Sequence, residues 1–488
     1  MSVLLSRLLA DDAALPQGAA DAAISGLTAD SRQVKPGFLF AALPGTKVDG
    51  AQFIPQAVAA GAAAVVIGDK IATPPANSIL IKSGNPHQLF ARIAARFAGA
   101  QPDIVVAVTG TNGKTSVAAF VREIWKSMGF RAASIGTVGV VGPQGEEYLA
   151  HTTPDPVKLH HALAELAQDH VTHLAMEASS HGLAQFRLDG VRLAAGGFTN
   201  LTRDHLDYHA SVEAYFDAKM RLFSELLPEG APAVVNADVD IARDVAARAK
   251  AHGLTLFTVG EKGHDLKLVS CVRDGFGQRL VLATASGQHE LYLPLVGDFQ
   301  VSNALVAAGL VIATGGEEAL VLHALESLKG AKGRLDLVAH SAKGAPIFVD
   351  YAHTPDALEK AILALKPYVT RKLAVVFGAG GDRDKGKRPQ MGAIAAQHAD
   401  IPYVTDDNPR SEDPAVIRAA IMAACPGGIE IGDRALAIRT AVAALAEGDI
   451  LLVAGKGHEL GQTIGGKVLP FSDHDAVKAA VAGQDYHG

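Results

Sequence analysis

Residues 109–116, Thr-Gly-Thr-Asn-Gly-Lys-Thr-Ser, follow the β-branched run 104–108 and open a helical stretch that starts at Lys114. A strand before the loop and a helix after it are the setting that a phosphate-binding loop requires. Gly110 and Gly113 allow backbone N–H groups to curl around an anion, and the helix N-terminus adds about half a positive charge. The sequence therefore predicts a phosphate site at the end of a buried strand.

Two side chains of this loop match the chemistry of a nucleotide site. Lys114 is placed to neutralise phosphate oxygens, and Thr115 to offer a hydroxyl to Mg²⁺. Position 108, where the usual first glycine of the motif stands, is Val, so the loop is a variant of the standard motif. The alternative interpretation is a glycine-rich turn with a solvated lysine.

Strands and helices alternate on both sides of the loop. Apolar runs at 173–176, 197–199 and 233–235, with a helical stretch at 211–226, predict a mostly parallel sheet covered by helices on both faces. Period-2 runs over 267–296 predict a small antiparallel insert, and residues 301–314 read as a helix. The phosphate loop thus belongs to a central α/β domain.

The flanking regions predict two further α/β domains. Strands are expected at 38–41, 64–67, 78–81, 347–349, 373–377 and 450–454, and helices at 87–97 and 434–445 and from Pro355, Pro389 and Pro414. Linker-like stretches at 98–102 and 329–333 separate the blocks. We therefore predict a small N-terminal domain over 1–98, a central domain over 99–332 and a Rossmann-like C-terminal domain over 333–488.

Composition narrows the class of protein. The chain has 488 residues, which at roughly 150 per domain indicates about three domains. A net charge of −7 argues against a general nucleic-acid binder. Two cysteines cannot build a disulfide framework, so a cytoplasmic location is expected. No apolar stretch approaches the about 20 residues that span a membrane, so no membrane insertion is expected.

Carboxylates and histidines follow two predicted strands. Glu177 ends one strand, where ligand crevices form in parallel sheets. His205 and His209 follow the next, with a spacing that suits zinc. Three interpretations stay open for this segment: a zinc site, a solvated polar loop and a nucleotide-linked Mg²⁺ site. Lys219, on the following helix, reads by itself as a surface lysine.

These motifs together resemble the Mur ligases. The resemblance rests on residues 109–116, the Glu177 segment, Thr-Asn-Leu-Thr-Arg-Asp-His-Leu-Asp-Tyr-His at 199–209, and Val-Asp-Tyr-Ala-His-Thr-Pro-Asp at 349–356. His-Thr-Thr-Pro-Asp at 151–155 and Asp-Asn-Pro-Arg at 407–410 resemble members that add meso-diaminopimelate to UDP-N-acetylmuramoyl-L-alanyl-D-glutamate. The family implies that ATP converts a substrate carboxylate to an acyl-phosphate, which an amine then attacks.

The resemblance implies a role for individual residues. It assigns ATP contacts to Gly110, Thr111, Asn112, Gly113, Lys114, Thr115, Ser116, Asn303, Arg334 and Asp350. It assigns Mg²⁺ to Thr115, Glu177, His205 and a carbamylated Lys219, and catalysis to Lys114, Glu177, His205 and Lys219. Closure of the third domain, which brings Arg334 and Asp350, is expected to complete the site.

Two substrate regions are implied in the same way. The UDP-muramoyl-dipeptide is expected at Ser31, Thr46, Lys47, Val48, Thr152, Thr153, Ser179, Gln185 and Arg187. Diaminopimelate is expected at Arg383, Asp407, Asn408, Pro409, Arg410, Gly455 and Glu459. Arg410 would grip the carboxylate that diaminopimelate has and lysine lacks. For the residues predicted to bind the UDP-muramoyl-dipeptide, the alternative is that they are ordinary polar loop residues, and for Arg187 that it forms a surface salt bridge. For 407–410, the alternative is a turn that caps the helix starting at Pro414.

Three other functions are weighed against this one. A lysine-adding Mur ligase would differ around Arg410, and a folylpolyglutamate synthase-like ligase would lack the N-terminal block. A non-catalytic phosphate-loop switch would leave Glu177, His205, Lys219 and Asp350 without a purpose. A nicotinamide site is rejected, because the third glycine of its motif after Gly378 and Gly380 falls on Arg383. A monomer is expected.

Overall fold

The computed structural model describes residues 2–45, 48–69, 78–149, 151–202, 204–205 and 208–486. The chain divides into two compact units. The first unit comprises Met1–Leu268, Leu282–Gln288 and Ser302–Ala324. The second unit comprises Val269–Val281, His289–Val301 and Leu325–Gly488. The domain boundaries predicted after residues 98 and 332 stay predictions.

The secondary structure alternates along most of the chain. The strands are β1 Val3–Leu4, β2 Ala23–Ile24, β3 Gly26–Thr28, β4 Phe38–Ala41, β5 Ala64–Gly68, β6 Ile79–Ser83, β7 Ile104–Thr109, β8 Ala132–Gly136, β9 Gly139–Gly142, β10 Gly145–Glu147, β11 His173–Glu177, β12 Leu193–Phe198, β13 Pro232–Asn236, β14 Thr255–Gly260, β15 Leu266–Asp274, β16 Gly277–Thr284, β17 Gly287–Leu293, β18 Asp336–His340, β19 Pro346–Asp350, β20 Leu373–Phe377, β21 Ile401–Val404, β22 Ile429–Glu430, β23 Ile450–Ala454, β24 Gly461–Ile464 and β25 Lys467–Pro470.

The helices are α1 Leu5–Leu9, α2 Ile54–Ala59, α3 Pro86–Ala98, α4 Lys114–Ser127, α5 Pro156–Gln168, α6 Ser180–Ala184, α7 Val212–Arg221, α8 Ala242–Ala251, α9 Asp298–Ala313, α10 Glu318–Leu325, α11 Pro355–Leu365, α12 Lys387–His398, α13 Pro414–Met422, α14 Arg434–Ala444 and α15 Asp473–Val481. A π-helical turn, Leu222–Leu226, follows α7 directly.

Among its described residues, the first unit contains an antiparallel pair of strands, β1–β2, and two larger sheets. The N-terminal one is parallel, in the order β3-β4-β5-β6, and Phe90 and Ile93 of α3 are buried in its core. In the central sheet, the strands of this unit run β10-β9-β8-β11-β7-β12-β13-β14, and β8, β11, β7, β12, β13 and β14 are parallel. Val105 and Val108 of β7 are buried, as expected for a strand covered on both faces.

The register of the central sheet positions the candidate site. Glu177, the last residue of β11, pairs with Val108 of β7, just before the loop that begins at Gly110. The carboxyl ends of parallel strands meet at one edge of a sheet, where α/β proteins bind ligands. The sheet thus brings the β11 carboxylate beside the glycine-rich loop.

The second unit is a doubly wound sheet with the order β18-β19-β23-β20-β21-β22, parallel except for β18. Helices α11, α12 and α13 form a core on one face, with Leu358 and Met391, and α14 and α15 form another, with Ile438 and Val477. A two-stranded antiparallel hairpin, β24–β25, stands apart from this sheet. The predicted fold class is confirmed.

Some predicted bounds were wrong for identifiable reasons. Helix α12 begins at Lys387 rather than Pro389, because the first helical turn has unpaired N–H groups and tolerates a proline there. The single helix predicted over 211–226 ends at Arg221 and continues as the π turn. Strand β21, which contains Pro402, was not predicted. Within the described ranges, no helix is both long and apolar enough to cross a membrane.

Candidate active site

The glycine-rich loop between β7 and α4 has a conformation that only glycine adopts easily. Gly110 has φ 146° and Gly113 has φ 87°. A Cβ atom on Gly110 would lie 1.9 Å from Thr199 Oγ1, and one on Gly113 would lie 2.2 Å from Asn303 Oδ1. The loop is therefore packed closely against two other segments, and Asn303, predicted at the ATP site, lies beside it.

We expect Gly113→Ala to destabilise the protein through two effects, the strain of a Cβ at positive φ and a clash of that Cβ with Asn303. Gly129 has the same φ of 87°, yet a Cβ there would meet nothing within 4 Å. Gly129→Ala should therefore cost only the left-handed strain, about 1–2 kcal/mol. Gly113→Ala should cost that amount and also displace Asn303 and weaken nucleotide binding. Thermal unfolding and titration with ATP compare the two variants; equal melting temperatures and equal ATP affinities would contradict the close packing.

The segment after β12 holds the loop through its backbone. The N–H groups of Thr111 and Asn112 donate to Asn200 O and Oδ1, both at 2.9 Å. Thr199 Oγ1 donates to Asn112 O at 2.6 Å, and Thr202 N donates to Thr111 Oγ1 at 2.9 Å. The sequence analysis assigned no contact to Thr199, Asn200 or Thr202. The available signal was that they begin the polar run after a strand end.

Lys114 is bonded to its own loop. Its Nζ donates to Gly110 O at 2.9 Å and to Thr111 O at 2.8 Å. The ammonium is thus held at the mouth of the loop and the reading as a freely solvated lysine is wrong. Thr115 and Ser116 follow in the first turn of α4, and both are buried.

Lys219 of α7 lies against the same loop. Its side chain is only 1% exposed, its Nζ donates to Gly110 O at 2.6 Å, and it lies 4.3 Å above the centre of the Tyr215 ring. Burial and the nearby ammonium of Lys114 hold the pKa of Lys219 well below its ordinary value, against the opposing charge of Asp204. The reading as a surface lysine is therefore wrong.

Tyr215 is a residue of this site that sequence reasoning missed. Its hydroxyl donates to Thr111 Oγ1 at 3.2 Å, and its ring supports Lys219. Burial raises the pKa of Tyr215 to about 12, so the phenol stays protonated and donates. The signal was its position one helical turn before Lys219, which puts both side chains on the same face of α7.

Glu177 is buried and oriented by a residue of the neighbouring strand end. Its Oε1 accepts from the backbone N–H of Thr137 at 2.7 Å, and its Oε2 accepts from the Thr137 hydroxyl at 3.1 Å. Each carboxylate oxygen keeps a further lone pair, so the group can still bind a cation. Thr137 was not predicted as part of the site.

The His205 ring contacts the rings of His181 and Tyr215. Its ring centre lies 4.9 Å from that of His181 and 6.1 Å from that of Tyr215, and its Nε2 lies 3.5 Å from Asp204 Oδ2. In the described part of the chain, no three His, Cys, Asp or Glu side chains converge as a zinc site would require. Mg²⁺ instead uses one or two carboxylates, hydroxyls, water and phosphate oxygens, so Thr115 and Glu177 suit it.

Five of the nine residues predicted for the UDP-muramoyl-dipeptide lie in one hydrogen-bonded network of the first unit: Thr152, Thr153, Ser179, Gln185 and Arg187. Thr153 Oγ1 donates to Glu177 O at 3.0 Å, lies 2.9 Å from Ser179 Oγ and accepts from Ser179 N at 3.1 Å. The Thr152 hydroxyl lies 3.1 Å from that of Thr137. The network therefore touches Glu177 directly and extends the site beyond the loop.

Arg187 and Gln185 complete this network. The Arg187 guanidinium donates to Thr153 O and, from Nε and Nη2, to Gln185 Oε1 at 2.6–3.1 Å. Gln185 Nε2 donates in turn to Tyr208 OH at 3.1 Å. The alternative of a surface salt bridge for Arg187 is wrong, because its partners are a backbone carbonyl and an amide.

The predicted uridine end lies elsewhere in the first unit. The Ser31 hydroxyl is buried and donates to Gln56 Oε1 at 3.0 Å, its one side-chain bond among the described residues. Val48 is 50% exposed. Thr46 and Lys47 lie outside the described residues. The structure does not join Ser31 to the Arg187 network by a hydrogen bond within those residues.

In the second unit, Asp350 ends β19 and accepts hydrogen bonds from two backbone N–H groups. Its Oδ2 accepts from Leu335 N at 2.7 Å and its Oδ1 from Ala352 N at 2.8 Å. Burial raises the pKa of Asp350, and the Arg334 guanidinium opposes the shift. Arg334 lies 4.9 Å from the centre of the Tyr351 ring. The two predicted ATP residues of this unit are therefore neighbours.

The residues predicted for diaminopimelate also meet in the second unit. Asn408 Nδ2 donates to Glu459 Oε2 at 2.8 Å, and Lys456 Nζ donates to the same oxygen at 3.0 Å and to Asn408 Oδ1 at 3.2 Å. Burial would raise the pKa of Asp407, but the charges of Lys456 and Arg434 and the Asn408 N–H hold it below its ordinary value. Sequence reasoning quoted the segment with Lys456 but gave this fully buried lysine no role.

Arg410 is held in an unusual backbone conformation, and one nitrogen of its guanidinium binds a backbone carbonyl. Its φ is +52°, and its Nη1 donates to Gly381 O at 2.8 Å. Its Nε and Nη2 make no hydrogen bond within the described residues. A Cβ on Gly381 would lie 1.9 Å from Pro409 O, so the glycine turn after β20 packs directly on this segment.

The remaining residues of this prediction have different surroundings. A Cβ on Gly455 would lie 2.6 Å from Asp407 Oδ2. The lack of a side chain at Gly455 therefore lets the Asp407 carboxylate approach the backbone closely. Arg383 is exposed. The helix that starts at Pro414 is capped by Asp413, whose Oδ1 accepts from Ala415 N at 2.9 Å. Segment 407–410 is therefore not that cap, and the alternative given for it is wrong.

The chain matches three family models in succession. They are described as the Mur ligase family catalytic domain, over residues 23–98, the Mur ligase middle domain, over 108–311, and the Mur ligase glutamate ligase domain, over 333–457. The middle model covers the glycine-rich loop, Glu177, Lys219 and Asn303, so it coincides with the site described above.

Whole-length relatives agree with these models. A Bradyrhizobium diazoefficiens protein named UDP-N-acetylmuramoyl-L-alanyl-D-glutamate–2,6-diaminopimelate ligase is 55% identical over 98% of this chain and 99% of its own length. A Mesorhizobium japonicum protein of the same name is 56% identical over 95% and 96%. A solved structure with that name covers both chains completely, with 32% identity and a TM-score of 0.73.

More distant structures share the fold. A MurF ligase from Thermotoga maritima in complex with ADP has a TM-score of 0.61 at 18% identity over 94% of this chain and 97% of its own. A folylpolyglutamate synthase from the same organism has a TM-score of 0.60 at 20% identity over 76% of this chain and 89% of its own. Because three family models match in succession and relatives match nearly end to end, this chain belongs to the Mur ligase family.

Proposed function

We propose that this protein joins meso-diaminopimelate to UDP-N-acetylmuramoyl-L-alanyl-D-glutamate in an ATP-dependent reaction of peptidoglycan precursor synthesis. The relatives named for this reaction cover nearly the whole chain. The observation that carries the choice of amino acid is the pocket of Asn408, Arg410 and Glu459. Within the described residues, the Arg410 Nε and Nη2 make no hydrogen bond, and Asn408 Nδ2 donates to the Glu459 carboxylate, which can also accept from an ammonium group.

The chemistry requires that an unreactive carboxylate be activated. A carboxylate resists an amine because its leaving group is poor, so transfer of the ATP terminal phosphoryl group makes an acyl-phosphate. The diaminopimelate amine attacks its carbonyl carbon, and inorganic phosphate leaves as the amide forms. Products are the tripeptide nucleotide, ADP and phosphate.

The residues of the first unit serve this reaction by positioning and charge. The N-terminus of α4 with Lys114 attracts the phosphates, and Arg187, Thr153 and Ser179 are placed to hold the muramoyl-dipeptide near Glu177. Mg²⁺, when bound, would neutralise the phosphate charge that develops during transfer. Thr115, Glu177 and His205 are the residues proposed to hold it. We also assign a carbamate to Lys219, whose depressed pKa favours the neutral amine that reacts with CO₂.

The residues of the second unit serve nucleotide and amino-acid binding. Arg334 and Asp350 are proposed to contact ATP, as is Asn303. In the amino-acid pocket, Arg410 pairs bidentately with the distal carboxylate of diaminopimelate, and Glu459 accepts an ammonium group. Lysine lacks that carboxylate and would leave the guanidinium without its partner, at a cost of about 1–3 kcal/mol.

Two other ligases remain as competing functions. A lysine-adding Mur ligase would use the same first unit, so only the Arg410 pocket argues against it. A folylpolyglutamate synthase-like ligase is disfavoured by the parallel sheet β3–β6 and α3, which belong to a block that such a ligase was expected to lack. We further propose that the protein acts in the cytoplasm as a monomer.

We expect phosphate release from ATP only when UDP-N-acetylmuramoyl-L-alanyl-D-glutamate and meso-diaminopimelate are both present. The measurement is a coupled phosphate assay with a panel of meso-diaminopimelate, L-lysine, L-glutamate and no amino acid, with the amide product identified by mass spectrometry. Turnover with L-lysine equal to that with diaminopimelate would contradict the proposed specificity. Turnover with L-glutamate on a folate acceptor would favour the second alternative.

A further inference from the structure

In the hairpin β24–β25, the backbone N–H and C=O of one residue face away from the partner strand and can bond to another segment. Its two-residue turn, Gly465-Gly466, has φ 54° and 79°, and Ile464 pairs with Lys467 across it. Pairs alternate along an antiparallel ladder between bonded and non-bonded, and the pair that flanks a two-residue turn is bonded. The next pair, Thr463 with Val468, is therefore non-bonded, and the N–H and C=O of Thr463 point away from β25.

Both free groups of Thr463 bind the predicted diaminopimelate segment. Thr463 N donates to Asn408 Oδ1 at 2.8 Å, and Arg410 N donates to Thr463 O at 2.9 Å. Gly465 N donates to Arg410 O at 2.7 Å, and Gln462 Nε2 donates to Asp407 O at 2.7 Å. The hairpin thus binds segment 407–410 through four hydrogen bonds. Two of them form a parallel β-bridge between Arg410 and Ile464.

Arg410 is the residue most constrained by this arrangement. The left-handed region disfavours a residue with a Cβ, yet Arg410 has φ +52°. Its backbone N–H and C=O are both bonded to the hairpin, and these bonds offset the strain. The direction of the guanidinium follows from that backbone conformation. The Asn408 amide, bonded to Thr463, Lys456 and Glu459, is fixed in the same way.

We propose that hairpin β24–β25 positions the amino-acid pocket, and that Gln462 and Thr463 are positioning residues for diaminopimelate specificity. The inference rests on the proposed function and extends it to residues outside the pocket. Neither side chain needs to touch the substrate. Gln462 acts through its side-chain amide, which binds Asp407, and Thr463 acts through its backbone N–H and C=O, which bind Asn408 and Arg410. Together they hold these residues in the orientation that the two ends of diaminopimelate require, because small displacements of a binding group lower affinity strongly.

The test uses the full-length enzyme and four variants. Gln462→Ala and Gln462→Met remove the donor to Asp407 O, the second with the side-chain volume kept. Thr463→Pro removes the N–H that binds Asn408. Lys467→Ala, on the exposed strand of the same hairpin, is the matched control. KM and kcat are measured for diaminopimelate, ATP and the UDP-dipeptide, with L-lysine as competing amine and thermal unfolding as the folding check.

We expect each Gln462 variant and Thr463→Pro to raise the diaminopimelate KM about five- to tenfold, the size of one lost hydrogen bond, with the ATP KM unchanged within about twofold. The preference for diaminopimelate over lysine should fall in the same variants, and Lys467→Ala should behave as wild type. Unchanged diaminopimelate KM in both Gln462 variants, or an equal rise in the ATP KM, would overturn the inference while wild-type turnover upholds the proposed function. If phosphate release by the wild-type enzyme does not depend on diaminopimelate, both the proposed function and this inference are overturned.

Discussion

Lys219→Ala should lower the kcat of amide formation by about 10²–10³-fold, the loss typical of one preorganised group that stabilises developing charge. Lys219 is buried against the glycine-rich loop, and its Nζ bonds to Gly110 O. Removing it takes away the group proposed to carry the carbamate next to the phosphates. The phosphate-release assay under saturating substrates gives kcat directly.

The controls separate catalysis from folding. Lys219→Met keeps most of the buried volume, and Lys250→Ala, on the exposed face of α8, removes a lysine of no proposed function. We expect Lys219→Met to melt near wild type and to lose as much kcat as Lys219→Ala, and Lys250→Ala to be fully active. Activity retained by both Lys219 variants would refute the role.

The carbamate itself has a separate readout. The neutral amine of Lys219 attacks CO₂, a C–N bond forms, and one proton leaves to solvent. Protein equilibrated with ¹³C-labelled bicarbonate should therefore show a carbamate carbon signal that is absent from Lys219→Met. A wild-type spectrum without that signal at high bicarbonate would count against the carbamate and leave the lysine as an ammonium group.

Arg410→Lys should raise the KM for diaminopimelate by about 5- to 150-fold, because a single ammonium replaces a bidentate guanidinium, at a cost of about 1–3 kcal/mol. The ATP KM should stay within about twofold. Lysine also has a Cβ, so the strain of the left-handed conformation at φ +52° is the same in both proteins. The change therefore reports on the guanidinium rather than on the backbone.

The comparison needs a matched arginine elsewhere. Arg439 of α14 is half-exposed and pairs with Asp485, so Arg439→Lys makes the same chemical change at the surface. We expect its kinetics to equal those of wild type. If Arg410→Lys and Arg439→Lys have the same diaminopimelate KM and the same preference over lysine, Arg410 does not bind the substrate.

Much of the fold followed from local patterns. Strand β20 has the predicted bounds, and helices α4, α11 and α13 start at the predicted residues, because buried parallel strands read as continuous apolar runs and Pro or Gly marks helix starts. Strand β12 was predicted from its last residues only, since its run Ala-Ala-Gly-Gly has little strand propensity. The family and enzyme class were also predicted and are confirmed by relatives.

Local patterns by themselves determined the glycine-rich loop, the carboxylate at the end of β11 and the order of the motifs, because each depends on residues that are adjacent in the chain. Tertiary structure alone decided that Lys219 is buried against Gly110 and that Tyr215 supports it. It also decided that Gln462 and Thr463 hold Asp407 and Asn408, more than fifty residues away in sequence. The physical reason is that burial and hydrogen bonding between distant segments depend on which elements pack together, and no short stretch of sequence carries that information.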